Sequence, residues 1–190
     1  LSIRRQRQMC IRDSTYTLGY SFGSGVTIPG TGILMNNQMN NFAYSYGDKK
    51  ERGRAASFGN KFEPGKKPMS TMAPVMVFNE DNKLLLITGS PGGALIPAAI
   101  LRVITGVIDF DLNIGEATML TRVHKDWPKP GIRYEKTLTP IVVKRLKDMG
   151  HGATSDKTMG STQSIHIIDG VNYGYSDLRR PGAGVSIQPN

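Results

Sequence analysis

VMVFNEDNKLLLITGSPGGALIPAAILRVITGVI, residues 75–108, is the stretch that decides how the chain folds. Val75–Phe78 and Leu84–Thr88 are short apolar runs on either side of the polar Asn79-Glu80-Asp81-Asn82, a pattern that predicts a β-hairpin. Gly89-Ser90-Pro91-Gly92-Gly93 interrupts it. The apolar stretch from Ala94 to Ile108, broken by Arg102, is too short and too interrupted to span a membrane and predicts a core helix.

Working outward, Asn113-x-x-Glu116 offers a capping box for a short helix through Leu120. Thr139-Pro140 supplies N-cap and first-turn residues for a helix running to Met149 and stopped by Gly150. Gln163–Ile168 and Val171–Tyr175 flank Asp169-Gly170 and predict a second hairpin, and the tail from Pro181 reads as loop. Upstream, Thr15–Phe22 is rich in Thr and Tyr and reads as a strand, and Pro29-Gly30-Thr31-Gly32 as a turn. Residues 43–67 carry many charges and no sustained apolar pattern, which predicts a long exposed loop. Strands first and last, with helices between them, suit an α+β or layered α/β domain.

The chain has 190 residues, the size of one domain or a domain and a half. A hydrophobic content of 38% is enough for a core, while 22 glycines and 11 prolines argue against a helical bundle. A single cysteine excludes a disulfide framework or thiolate metal cluster within one chain. The net charge of +9 raises nucleic acid or an anionic membrane as partners, but it is unevenly placed. Residues 1–14 hold four arginines against Asp13, and residues 48–67 hold seven basic against three acidic side chains. Met9–Ser14 resembles the translation of a transposon end used in sequencing-library preparation, so residues 1–14 are expected to be a non-native segment and residues 15–190 the genuine domain. The remaining 176 residues carry no cysteine and a charge of +6, most of it on the 43–67 loop.

Few local motifs carry chemistry. His124, His151 and His166 show no metal-ligand spacing, and no GxSxG, GxGxxG or GxxxxGK[ST] pattern is present. Gly89–Gly93 lies between a strand and a helix, where unpaired backbone N–H groups could form an oxyanion hole; spacing alone favours an ordinary turn. Asn36–Asn41 places five carboxamides in six residues, which either hold a polar ligand or satisfy their own turn. Ser70 and Thr71 could bind a carboxylate or cap local structure.

Six segments in order, TYTL at Thr15–Leu18, FGSGV at Phe22–Val26, PGTGILMNNQM at Pro29–Met39, KKPMSTMAP at Lys66–Pro74, TGSPGG at Thr88–Gly93 and MGSTQS at Met159–Ser164, resemble the small subunit of γ-glutamyltranspeptidases. The resemblance covers nearly the whole chain from Thr15. It implies a layered αββα N-terminal-nucleophile hydrolase fold, incomplete without a large subunit, and no cofactor or metal. It further implies a threonine nucleophile, its own α-amine as base, and an acyl-enzyme passed to water or to an acceptor amino acid or peptide. The implied substrates are γ-glutamyl compounds such as glutathione, the implied partner is the large subunit of the same precursor, and nucleic acid is not expected. By the same resemblance Thr17 supports the nucleophile, Gly92 and Gly93 form the oxyanion hole, Gln38 meets the substrate's α-amino group, and Ser70 and Thr71 bind its α-carboxylate. The loop 43–67 corresponds to a lid, and the implied setting is periplasmic or extracellular, with anchoring to the membrane's outer face through the large subunit also open.

Three departures stand out. The nucleophile belongs upstream of TYTL, where residues 1–14 lie, so the chain as given is expected to be inactive. Gly19 stands where the family usually has asparagine, and Asn41 where an aspartate commonly pairs with the substrate ammonium. Two further readings stay open: a related acylase or capsule transpeptidase of the same fold, and a non-catalytic module binding polyanions through the basic loop.

Overall fold

The computed structural model describes residues 18–19, 22–43, 58–126, 130–181 and 184–189. The chain forms two compact units, residues 1–70 and 71–190.

In the second unit the expected hairpin is β1 (Val75–Phe78) and β2 (Leu84–Gly89), with Asn79 accepting from Asp81 and Lys83 N–H through its side chain to close the turn. After a 3-10 turn at Gly93–Leu95 comes α1 (Ile96–Ile108), whose Ile96, Ala99, Ile100, Val103, Gly106 and Val107 repeat at helical spacing and are buried. The predicted capping box is present in α2 (Ile114–Met119): Glu116 N donates to Asn113 Oδ1 at 2.9 Å and Asn113 N to Glu116 Oε2 at 3.1 Å. The two helices touch backbone to backbone, because a Cβ on Gly106 would lie 2.9 Å from the Ala117 Cβ.

Next follow β3 (Val123–His124), β4 (Ile132–Glu135), α3 (Pro140–Asp148) and β5 (Ala153–Asp156). These strands make a three-stranded sheet in which β4 and β5 run parallel, and α3 supplies the crossover that a parallel pair requires. Thr139 gives α3 no side-chain cap bond, leaving Pro140 as its start signal.

The second predicted hairpin is β6 (Gln163–Ile168) and β7 (Val171–Ser176), turning through Asp169 and Gly170, both at positive φ. The tail corrects the sequence reading. Residues expected as loop form β8 (Val185–Pro189), paired with β7 from Val171↔Pro189 to Tyr175↔Val185. This edge strand owes its conformation to main-chain pairing with β7, and Pro189, which has no N–H to donate, is tolerated on an edge.

The five-stranded sheet runs β1-β2-β6-β7-β8, antiparallel throughout. Residues in register share a face, so Val77, Leu86, His166 and Tyr173 point one way and Met76, Ile87, Ile165 and Gly174 the other. The first face carries the core, where Leu86 packs with Val103, Val107, Ile114 and Ala117 of the helices. On the second face Met76 is 48% and Ile165 39% exposed, and a groove of about 580 Å³ is lined by Ile87, Ile165, Ile167 and Gly174 among others. This second face is apolar along β1, β2 and β6 and polar toward β7 and β8, where Asn172, Ser186 and Gln188 line the groove, so its apolar part is the part suited to being covered.

The first unit is held by turns. Ile28 N donates to Ile33 O and Met35 N to Val26 O around the predicted Pro29–Gly32 turn. Asn60 closes the base of the 43–67 loop: its Nδ2 donates to Asn41 O at 2.7 Å, its Oδ1 accepts from Met69 N at 3.0 Å, and its carbonyl accepts from Ala43 N. Buried Phe42 meets Phe62 edge to face with ring centroids 5.3 Å apart. The inner part of that loop, residues 44–57, lies outside the described residues, as does most of the expected strand Thr15–Phe22, of which Leu18, Gly19 and Phe22 are described, the last two in turns. No helix among the described residues is long and apolar enough to cross a membrane.

Candidate active site

One residue before the end of strand β2 stands Thr88, whose buried hydroxyl lies 2.8 Å from that of Ser164 on β6. The pair ties two sequence segments, TGSPGG and MGSTQS, at the point where the chain leaves the sheet. Beyond it Gly92 adopts φ 143° and ψ 6°, and Gly93 φ 60°, conformations that glycine adopts without a Cβ penalty. Leu95 N donates to Gly92 O to start the 3-10 turn. Among the described residues the Gly92 and Gly93 N–H groups find no acceptor, and they precede a 13-residue helix whose dipole favours negative charge there. Two unpaired amides at such a position have the chemistry to receive a developing oxyanion.

The loop Met159–Thr162 backs this turn. A Cβ on Gly92 would lie 3.4 Å from the Gly160 Cα, and Ser161 N donates to Ser90 Oγ at 3.1 Å. Four charged side chains hold that loop in turn. The Arg122 guanidinium, 2% exposed, donates to Met159 O at 2.6 Å, Thr118 O and Thr162 Oγ1 at 3.1 Å, and Asp177 Oδ2 at 2.6 Å. Asp177 Oδ2 also accepts from Thr162 N at 3.0 Å. Glu135 accepts from Met159 N at 2.8 Å and Arg122 N at 2.9 Å. Arg179 bridges the two carboxylates, reaching Glu135 with Nε at 2.8 Å and Nη2 at 2.7 Å, and Asp177 with Nη1 at 3.2 Å. Arg179 also caps the end of α2 through the Thr118 and Leu120 carbonyls.

Burial works to raise the Asp177 carboxyl, but the Arg179 and Thr162 backbone N–H groups and the Arg122 guanidinium outweigh it and hold it below the usual carboxylate range. Glu135 behaves alike: burial opposes ionisation, and the Arg179 side chain with the Met159 and Arg122 N–H groups overcomes it. Burial lowers the Arg122 guanidinium from its ordinary value, and Arg179 adds to this. Burial alone pushes the His166 imidazole down. Folded-state carboxyl values below the unfolded ones, about 3.9 and 4.3, stabilise fully above about pH 5, and that stability is lost as pH falls through the folded values. The lowered His166 acts in the same direction, with loss beginning below about pH 6.5. The expected urea midpoint therefore declines in two acid stages, a shallow one below about pH 6.5 and a steep one below about pH 4. A midpoint that stayed flat from pH 7 to pH 3 would remove both assignments.

The other expected site residues are distributed as follows. Gln38 and Asn41 bound a 3-10 turn in the first unit. Two of the neighbouring amides serve the backbone: Asn36 Oδ1 accepts from Gln38 N at 3.0 Å, and the Asn37 side chain exchanges bonds of 2.8 and 2.9 Å with Gly19. Asn37 thereby occupies the space beside Gly19, since a Cβ there would lie 3.1 Å from its Nδ2. Ser70, half-buried, ends the first unit and Thr71, half-buried, begins the second. Thr17 lies outside the described residues. Sequence reasoning missed Arg122, Glu135, Asp177 and Arg179, for Arg122, Glu135 and the Asp177/Arg179 pair lie 13 to 57 positions apart and form no motif. A second groove of about 450 Å³, between α3 and β4–β5, is lined by Lys136, Lys144, Lys147 and Tyr134 among others and presents no carboxylate.

A family model described as γ-glutamyltranspeptidase matches residues 13–187. The glutathione hydrolase proenzyme of Escherichia coli (strain K12) is 40% identical over 166 residues, covering 87% of this chain and 28% of that protein. The chain thus spans less than a third of the length of the curated relatives it first matches. A crystal structure of a Helicobacter pylori γ-glutamyltranspeptidase variant superposes with a TM-score of 0.76 at 35% identity, covering 87% of this chain and 91% of that one. A cephalosporin acylase from Bacillus halodurans superposes with a TM-score of 0.69 at 27% identity, covering 86% of this chain and 29% of that one. The fold is that of the N-terminal-nucleophile hydrolases, mixed α+β with layered sheets.

Proposed function

The chain belongs to the γ-glutamyltranspeptidase family, and from that premise we propose that it is the small-subunit part of an enzyme that cleaves the γ-glutamyl amide of glutathione and related compounds. The observation that carries the reading is the Gly92–Gly93 turn, with its two unpaired amides at the start of α1 and its backing by the Gly160 loop.

In this reading a threonine upstream of Thr15 attacks the γ-carbonyl, and its α-amine takes the hydroxyl proton. The carbonyl oxygen becomes the oxyanion received by the Gly92 and Gly93 N–H groups. Collapse expels the amine, which leaves with that proton, and the resulting ester passes to water or to the amino group of an acceptor. Thr17 supports the nucleophile's hydroxyl. Gln38 holds the substrate's ammonium group, with Asn41 offering a neutral carbonyl oxygen in place of a carboxylate, a difference of about 1 kcal/mol. Ser70 and Thr71 bind the α-carboxylate. The uncovered sheet face bearing Met76, Ile87 and Ile165 receives the second sheet of the αββα sandwich, contributed with the large subunit. A periplasmic or extracellular setting goes with this assembly.

The expected result is hydrolysis of a γ-glutamyl anilide by the complete precursor and none by the 190-residue chain, whose residues 1–14 stand where the nucleophile belongs. Turnover above blank by the purified chain, or a complete precursor inert toward every γ-glutamyl amide, would sink the reading. The likeness to a cephalosporin acylase and the neutral Asn41 favour one second reading, an acylase of altered specificity. Faster cleavage of other acyl amides than of γ-glutamyl ones by the complete protein would select it.

A further inference from the structure

We infer that Ser90 is a positioning residue that sets the direction of the Gly92 N–H; the inference rests on the proposed role of Gly92 in receiving the oxyanion. Ser90 is half-buried in the turn between β2 and α1. Its hydroxyl donates to the carbonyl of the next residue, Pro91, at 2.8 Å, and the same oxygen accepts from Ser161 N–H at 3.1 Å. The hydroxyl thus donates once and accepts once, and its hydrogen is directed at the Pro91 carbonyl.

The consequence follows from peptide geometry. In a trans peptide the N–H points opposite to the C=O across one rigid plane. Holding the Pro91 carbonyl toward Ser90 thereby turns the Gly92 N–H away from Ser90. Among the described residues no other group hydrogen-bonds the Pro91 carbonyl. Gly92 has no Cβ to resist rotation, Pro91 has no N–H of its own, and neither Gly92 nor Gly93 donates to an acceptor among the described residues.

The opposite loop approaches this hydroxyl closely at Gly160. A Cβ on Gly160 would lie 2.7 Å from Ser90 Oγ and 3.2 Å from Pro91 O. Gly160 itself has φ 74°, and the adjacent Met159 carbonyl and N–H are clamped by Arg122 and Glu135. The orientation of the Gly92 amide is thus referred through Ser90 and Ser161 to the buried ion network. Sequence alone shows the serine inside TGSPGG but not that its hydroxyl faces forward onto Pro91 O.

The test uses the complete mature protein containing this chain, with Ser90→Ala and Ser90→Thr, γ-glutamyl anilide kinetics and a crystal structure of each variant. Ser90→Ala is expected to lower kcat at least about tenfold with KM within about twofold, and to rotate the Pro91 carbonyl; a lost hydrogen bond and a misaimed oxyanion donor bracket that size. Ser90→Thr keeps the hydroxyl and is expected to recover kcat to within about threefold. An unmoved Pro91 carbonyl in Ser90→Ala, or a change in KM alone, overturns the positioning role. A rotated carbonyl with unchanged kcat instead overturns the oxyanion role of Gly92 and, with it, the catalytic consequence claimed for Ser90.

Discussion

Replacing Arg122 by methionine is expected to cost about 3–5 kcal/mol of stability, the usual penalty for removing one partner of a buried ion pair. The cluster Arg122, Arg179, Glu135 and Asp177 is neutral as built, with two guanidinium and two carboxylate groups. Methionine fills similar volume but leaves a net negative charge in the interior. Asp177 would keep Arg179, but Thr118 O, Met159 O and Thr162 Oγ1 would all lose a donor. Lysine is no substitute, because one ammonium cannot span the four acceptors that two guanidinium nitrogens reach. Pairing Arg122→Met with Asp177→Leu should recover part of the loss, since the uncompensated charge goes with it. Urea unfolding of the complete protein decides the matter, and a single-variant loss below about 1 kcal/mol would mean the network is not needed for stability.

The second large effect is kinetic. Gly92→Ala is expected to lower kcat about 10²–10³-fold, the cost of removing one oxyanion donor, while changing KM little. At φ 143° and ψ 6° a Cβ is sterically disfavoured whatever surrounds it. The backbone angle is the obstacle, since the added methyl would make only ordinary contacts, 3.4 Å from the Gly160 Cα and 3.5 Å from the Leu95 Cβ. The turn must therefore adopt another conformation, and the two N–H groups move with it. Since the ground-state carbonyl gains less from these donors than the oxyanion does, the loss falls on kcat. An alanine variant that folds and turns over within threefold of the parent would show that the amides are not the oxyanion donors.

Legibility followed the range of the interactions. The β1–β2 and β6–β7 hairpins, the capping box at Asn113 and the α1 helix rest on neighbours within a few positions, and each was readable before any coordinates. Strand β8 was not, because VSIQP carries no strong strand pattern and takes its conformation from β7. The β3–β4–β5 sheet was equally hidden: a two-residue strand and the polar ATSD segment mean nothing until they pair. For the candidate site, the TGSPGG motif points to Gly92 and Gly93, but their positive φ and the backing by the Gly160 loop appear only in the structure.

What the sequence by itself determined is the family, through six motifs in order, and the class of backbone each demands: glycines where φ is positive, a proline and serine where the chain turns. What only the tertiary structure decided is how those motifs are held. Ser90 meets Ser161 across 71 positions, Thr88 meets Ser164 across 76, and Arg122 meets Asp177 across 55. No local pattern specifies such partners, because a buried hydroxyl or charge is satisfied by whichever group the fold delivers, and burial gives that choice its energy.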